Sequence, residues 1–156
     1  MTGDRVTRPF WITNHMANPI LQVLLRSPMG GRFGRSLAVV SYLGRRTGQR
    51  HRLVVQYARD GAQVWIMPGQ PERKTWWRNL REPTDVKVRL AGEEFHGTAV
   101  VVHGTKDPDE MRRGLAVYLR RFPRAAKGHG IPSSSGRAQE INSAEVIVRV
   151  DLVKAP

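Results

Sequence analysis

Two short stretches of this chain carry residue types that could do chemistry. The first is Gly44-Arg45-Arg46-Thr47-Gly48. Bracketing glycines let a backbone turn tightly and expose N–H groups, while two guanidiniums and a hydroxyl add charge-assisted donors. That set suits a phosphate or carboxylate, though a polar hairpin that needs no ligand would have the same composition. The second stretch runs over residues 68–80, where Trp76 and Trp77 stand side by side. Consecutive residues of a helix point about 100° apart, so the two indoles cannot share one face. One can enter the core while the other lines a surface or cleft. With Arg73, Lys74 and Asn79 beside it, a flat aromatic wall suits a planar, anionic ligand. The same pair also suits a short helix pinned onto a sheet.

Other reactive constellations are missing. The chain has no cysteine, which excludes disulfides, thiolate metal sites and cysteine nucleophiles. Its five histidines (His15, His51, His96, His103, His129) show no metal-ligand spacing, and His96 and His103 fall on opposite faces of one predicted strand. Glu93-Glu94 falls in a predicted turn, as a solvated pair would. There is no Gly-x-Ser-x-Gly elbow, and the 44–48 turn lacks the Gly-Lys-Ser/Thr end of a nucleoside-triphosphate loop.

Charge points the same way as the first stretch. The 156 residues carry 26 Lys and Arg against 13 Asp and Glu, a net charge of +13. Residues 1–59 hold ten arginines and one acid, Asp4, so most of that excess lies in the first third. Such a field draws polyanions or an anionic membrane surface. Nucleic acid would want aromatics interleaved with cations along exposed strands, but Tyr42, Tyr57, Trp65 and Phe95 are scattered singly, so no specific nucleic-acid partner is expected.

The elements that must position these stretches are short. Residues 1–17 read as a flexible arm of a single domain covering 1–156. Asn18-Pro19 opens a helix with an apolar face (Ile20, Leu21, Val23, Leu24, Leu25), suited to covering the core or to touching lipid. Strands are predicted at 37–43, 52–58, 63–67, 85–90, 94–103 and 145–153. Asp60-Gly61 marks a hairpin, and Val86, Val88 and Leu90 face inward. Asp107-Pro108-Asp109-Glu110 starts a helix with an N-cap, proline at the first turn and a glutamate placed to reach back. Residues 124–143 read as a long loop. Six strands joined mainly by hairpins predict an α+β fold, a split β-barrel of mostly antiparallel strands with flanking helices. Asn14, His15 and Asn18 interrupt the only candidate leader, and no run approaches the roughly 18 apolar residues of a membrane span, so a cytoplasmic enzyme is expected.

The order and spacing of the motifs resemble the deazaflavin (coenzyme F-420)-dependent nitroreductase and quinone reductase family. Its members show a strand, Gly-Arg-Lys/Arg-Ser/Thr-Gly, an Asp-Gly hairpin, a small turn, and an aromatic pair followed by x-Asn-Leu. Here these are Gly44 to Gly48, Asp60-Gly61, Pro68 to Gln70, and Trp76 to Leu80. The resemblance implies a split barrel that binds reduced coenzyme F-420, with Arg45, Arg46, Thr47 and Gly48 on the phosphate and oligoglutamate tail. It places Pro68 and Gly69 against the ring, with Lys74, Thr75, Trp76, Trp77 and Asn79 completing the pocket. It further implies hydride transfer to a quinone-like or other unsaturated acceptor. Relatives in the wider superfamily that bind flavin mononucleotide (FMN), haem or fatty acids leave FMN as a second cofactor candidate, and a lipid-binding protein at the membrane surface as the alternative function. Ile66-Met67-Pro68-Gly69 departs from the Ser-Lys-Gly-Gly turn of the nitroreductase branch, which argues against nitroimidazole chemistry.

Overall fold

A computed structural model describes residues 36–68, 75–125 and 146–153. The predicted arm, the 18–25 helix and nearly all of the 124–143 loop lie outside these residues. Seven strands form one antiparallel sheet: β1 (Leu37–Leu43), β2 (Arg50–Gln56), β3 (Ala58–Asp60), β4 (Gln63–Ile66), β5 (Thr84–Leu90), β6 (Glu93–His103) and β7 (Val146–Val153). Their order across the sheet is β2-β1-β5-β6-β7-β4-β3.

One expectation is corrected here. The predicted strand at 52–58 is two strands, because the chain changes partner at Tyr57. β2 pairs with β1 at one edge and β3 pairs with β4 at the other, yet only Tyr57 separates them in sequence. A sheet whose first and last strands are joined by one residue must curl on itself, which is how an alternating sheet acquires an inside. Tyr57 sits at the corner, with its N–H donated to the Ser36 carbonyl at 3.1 Å.

The inside is apolar because alternate residues of the strands supply it. Ala38, Val40 and Tyr42 of β1, Val86, Val88 and Leu90 of β5, and Val146, Val148 and Val150 of β7 join one buried cluster. The alternation predicted for β5 is therefore found residue for residue. Hairpins set the register: the Gly61-Ala62 link has Gly61 at φ +58°, and the β5–β6 link holds Ala91 and Gly92 at φ 48° and 87°. Two consecutive positive φ angles are the requirement of a type I′ turn, which matches the strand twist.

The outer face of the β3-β4-β7-β6 half is covered by a helix, α1 (Pro108–Arg121). Asp107 caps it, its carboxylate accepting the Glu110 N–H at 3.3 Å. The glutamate does not reach back as the sequence suggests. Its carboxylate instead pairs with Arg113 and with Arg149 of β7, and Arg149 also donates to Asp151 at 3.1 Å. That network ties the start of α1 to the sheet. Met111, Leu115 and Tyr118 then pack on Trp65, Val102 and Ile147 in a second cluster.

Helix and sheet approach so closely at Gly114 that a Cβ there would lie 2.5 Å from Trp65 Cζ3. Gly114→Ala sets two effects against each other. Helix propensity alone would stabilise by about 1 kcal/mol. The fully buried indole cannot swing aside, however, and overpacking of a tight core typically costs about 1–3 kcal/mol. A net loss of stability is expected, read as a lower urea midpoint; a higher midpoint would mean that the indole yields.

Candidate functional site

The strand registers bring both reactive stretches to one mouth of the curled sheet. Ser41 of β1 stands opposite Lys87 of β5, so the turn after Leu43 lies beside the start of β5. That start is where the chain leaves a short 3₁₀ helix, Trp76–Leu80. β6 ends at the same mouth with His103 opposite Val146, and β4 ends there with Ile66 opposite Val148. Continuing the latter register sets Pro68 level with Val146.

Contact between the two stretches is direct. The Arg45 N–H donates to Asn79 Oδ1 at 3.3 Å. Asn79 Nδ2 donates to the Trp76 carbonyl at 3.1 Å, and the Asn79 carbonyl accepts from Thr84 Oγ1 at 3.3 Å. Beneath them lies Tyr42, stacked on His51 with ring centroids 5.3 Å apart. Burial pushes the Tyr42 hydroxyl up to about 12, and a hydrogen bond with the Asn79 side chain opposes that shift. The phenol is therefore neutral throughout the physiological range.

The turn is closed from within. The Gly44 N–H donates to the Gln49 carbonyl at 2.8 Å and the Gly48 N–H to the Gly44 carbonyl at 2.9 Å. Gly48 has φ +65°, where a side chain is strained. Gly44 is tight for another reason, since a Cβ there would lie 2.8 Å from His51 Nε2. With the bonds of Arg45 and of Gln49, which donates to Thr47 Oγ1 at 3.3 Å, four of the turn's N–H groups are committed inside the protein. The turn's exposed donors are thus mainly the Arg45 and Arg46 side chains rather than a cradle of amides. Neither guanidinium has an ion pair among the described residues.

The two indoles divide as consecutive helical residues must. Trp77 is 7% exposed and belongs to the interior cluster; Trp76 is half-buried and packs against the same cluster from its rim. The Arg78 and Arg81 guanidiniums lie 5.7 and 5.6 Å from the Trp77 ring centroid. Thr75 is exposed at the helix start and Pro68 is buried at the end of β4. Gly69 and Lys74 lie outside the described residues.

His103, weighed in the sequence only as a metal ligand, joins this mouth. It shares the inward parity of Ala99 and Val101, and its ring meets Trp77 edge-on with centroids 6.1 Å apart. Desolvation first, then the positive charges of Lys106 and Arg81, hold its pKa below the ordinary imidazole value of 6.5. Just below that value an unfolded chain takes up the proton while the folded one does not, so acid favours unfolding. Stability is expected to fall as pH drops from 7.5 through the lowered pKa. The loss should be smaller in His103→Gln, read from urea midpoints at several pH values. Equal acid losses in both proteins would show that His103 contributes nothing.

Among the described residues, no group of three or more His, Asp or Glu side chains could hold a metal ion, and no helix is long and apolar enough to cross a membrane. Tyr42, Tyr57 and Trp65 are buried, so they cannot serve as an exposed base-stacking platform.

A curled antiparallel half-barrel, covered among the described residues by one helix, defines a split-barrel fold, and its mouth joins a basic turn to an aromatic helix. The chain matches the model of the F420H(2)-dependent quinone reductase family over residues 25–121, and it belongs to that family. It is accordingly a coenzyme F-420-dependent reductase. No curated protein matches the chain. Among solved structures it is similar to an F420-H2 dependent reductase, FDR-A, at 15% identity over 74% of this chain and 94% of that one, with a TM-score of 0.55. A protein described as a domain-swapped dimer shares 14% identity over 88% and 98%, with a TM-score of 0.56. A conserved hypothetical protein from Mycobacterium tuberculosis shares 18% over 88% and 80%, with a TM-score of 0.53. At these identities the structural likeness speaks for the fold.

Proposed function

We propose that reduced coenzyme F-420 binds across this mouth and that the acceptor is a quinone-class molecule. The observation that carries the reading is the Arg45–Asn79 hydrogen bond, which holds a dicationic turn against an aromatic helix. Arg45 and Arg46 take the phosphate and the carboxylates of the tail, where planar guanidiniums match planar anions, Thr47 keeps a hydroxyl proton to donate, and Gly48 shapes the turn. Trp76 offers a flat apolar face to the ring, and Pro68 borders the ring from the end of β4; Gly69 and Lys74, which the resemblance also assigns to the pocket, lie outside the described residues. Trp77 acts from behind by fixing the helix, because its indole is already spent on the interior. The donor set thus fits the group in both charge and shape.

When bound, the coenzyme supplies the reactive carbon and the two electrons. The residues of this chain bind it, orient one face towards the acceptor and exclude water. No acid–base triad or metal is required of them. The lipid-binding alternative rests on residues 20–25, outside the described part of the chain, and no observation at the mouth favours it. FMN, shorter and without the glutamate tail, leaves the basic turn less fully used.

Titration tests the reading. Coenzyme F-420 should quench tryptophan fluorescence saturably, with about tenfold weaker affinity in Trp76→Ala, equivalent to losing roughly 1.4 kcal/mol of stacking. With a soluble benzoquinone or naphthoquinone present, absorbance should report oxidation of the reduced coenzyme. Quenching by FMN or a fatty acid but not by F-420 would overturn the assignment.

A further inference from the structure

We propose that Asn79 is a positioning residue rather than a ligand of the coenzyme, and that it sets the separation between the anion-binding turn and the aromatic wall. This rests on the mouth being the coenzyme site. An asparagine amide has one oxygen acceptor and two N–H donors. Here the oxygen accepts the Arg45 N–H and the nitrogen donates to the Trp76 carbonyl. The Tyr42 hydroxyl lies beside the same side chain. The half-buried amide is therefore held by two groups of the protein, one from the turn and one from the helix. Little of it remains to face a bound molecule.

The position of each partner gives the arrangement its use. Arg45 is the first arginine of the turn, and Trp76 is the indole left at the rim. Tyr42 is two residues before the turn on β1, with His51 stacked on it and Gly44 pressed against that imidazole. Asn79 thus joins Trp76, the indole at the rim, to the backbone that carries the arginines. Without the tie, each half of the mouth keeps its chemistry but loses its fixed distance from the other. A ligand that spans both halves must then order the turn on binding, which weakens it; a ligand that touches one half does not.

That difference supplies the experiment, done on the full-length chain with two probes. One is intact coenzyme F-420; the other is its 5-deazaflavin chromophore, which lacks the phosphate and glutamate tail. In Asn79→Ala the intact coenzyme should bind about tenfold more weakly and the chromophore less than about threefold more weakly. Amide hydrogen exchange at Arg45 should accelerate in Asn79→Ala and return towards the wild-type rate in Asn79→Asp, which keeps the oxygen acceptor. Equal weakening of both probes would make Asn79 a direct ring ligand and overturn the proposal. Unchanged affinities, or an Arg45 exchange rate indifferent to both substitutions, would overturn it too. If the wild type binds neither probe, the coenzyme reading fails, and the Arg45 exchange rate alone decides whether Asn79 holds the turn.

Discussion

Trp77→Ala is expected to cost about 3–5 kcal/mol of folding stability, the usual range for removing a buried aromatic side chain. The indole is 7% exposed and touches the interior cluster, the His103 ring and two guanidiniums. Its loss leaves a cavity between the 3₁₀ helix and the end of β6. The helix is only five residues long, too short to be stable without packing, so Trp77 and Leu80 are what keep it seated. Trp76→Ala makes the control. That indole is half-buried at the rim, and removing it should cost clearly less stability while weakening the coenzyme. Urea midpoints for both variants, set beside their affinities for F-420, separate an indole that holds the fold from one that holds the ligand. The division of labour is wrong if the two variants lose stability equally.

That one indole is buried and its neighbour only half-buried was legible in the sequence, because adjacency alone forbids two helical side chains from sharing a face. The inward residues of β5 were legible for a similar reason: alternation over Val86, Val88 and Leu90 is the direct imprint of one buried face. The break at Tyr57 was not. Residues 52–58 look continuous as a strand, and only the pairing of β3 with β4 shows that the chain has crossed to the far edge. Long-range pairing leaves no local mark. Glu110 misled for the same reason, since a capping-box pattern predicts a local bond and the carboxylate found Arg149, 39 residues away. For the site, residue types identified the two halves, but their contact depends on the β1–β5 register. His103 could have been found by parity, because it ends β6 in phase with Ala99 and Val101.

Removing both charges of the turn, in Arg45→Ala/Arg46→Ala, is expected to weaken coenzyme F-420 on the order of 100-fold while leaving the fold intact. Both side chains are exposed and neither has an ion pair among the described residues, so no ion pair among those residues is lost. A hydrogen bond to a charged group contributes about 1.5–3 kcal/mol, and solvent screening at an exposed site favours the lower end. Two such contributions total roughly 3 kcal/mol, which is about two powers of ten in the dissociation constant. Salt provides the internal check. Wild-type affinity should fall as ionic strength rises and screens the guanidiniums from the tail, whereas the doubly substituted protein should show a much flatter response. The whole-chain charge of +13 offers a rival explanation, in which any polyanion is attracted without a defined site. Removing two of 26 basic residues would then change affinity and salt response only slightly. A large loss confined to these two positions, with the urea midpoint unchanged, assigns the tail to the turn; a small loss returns it to the general field of the protein.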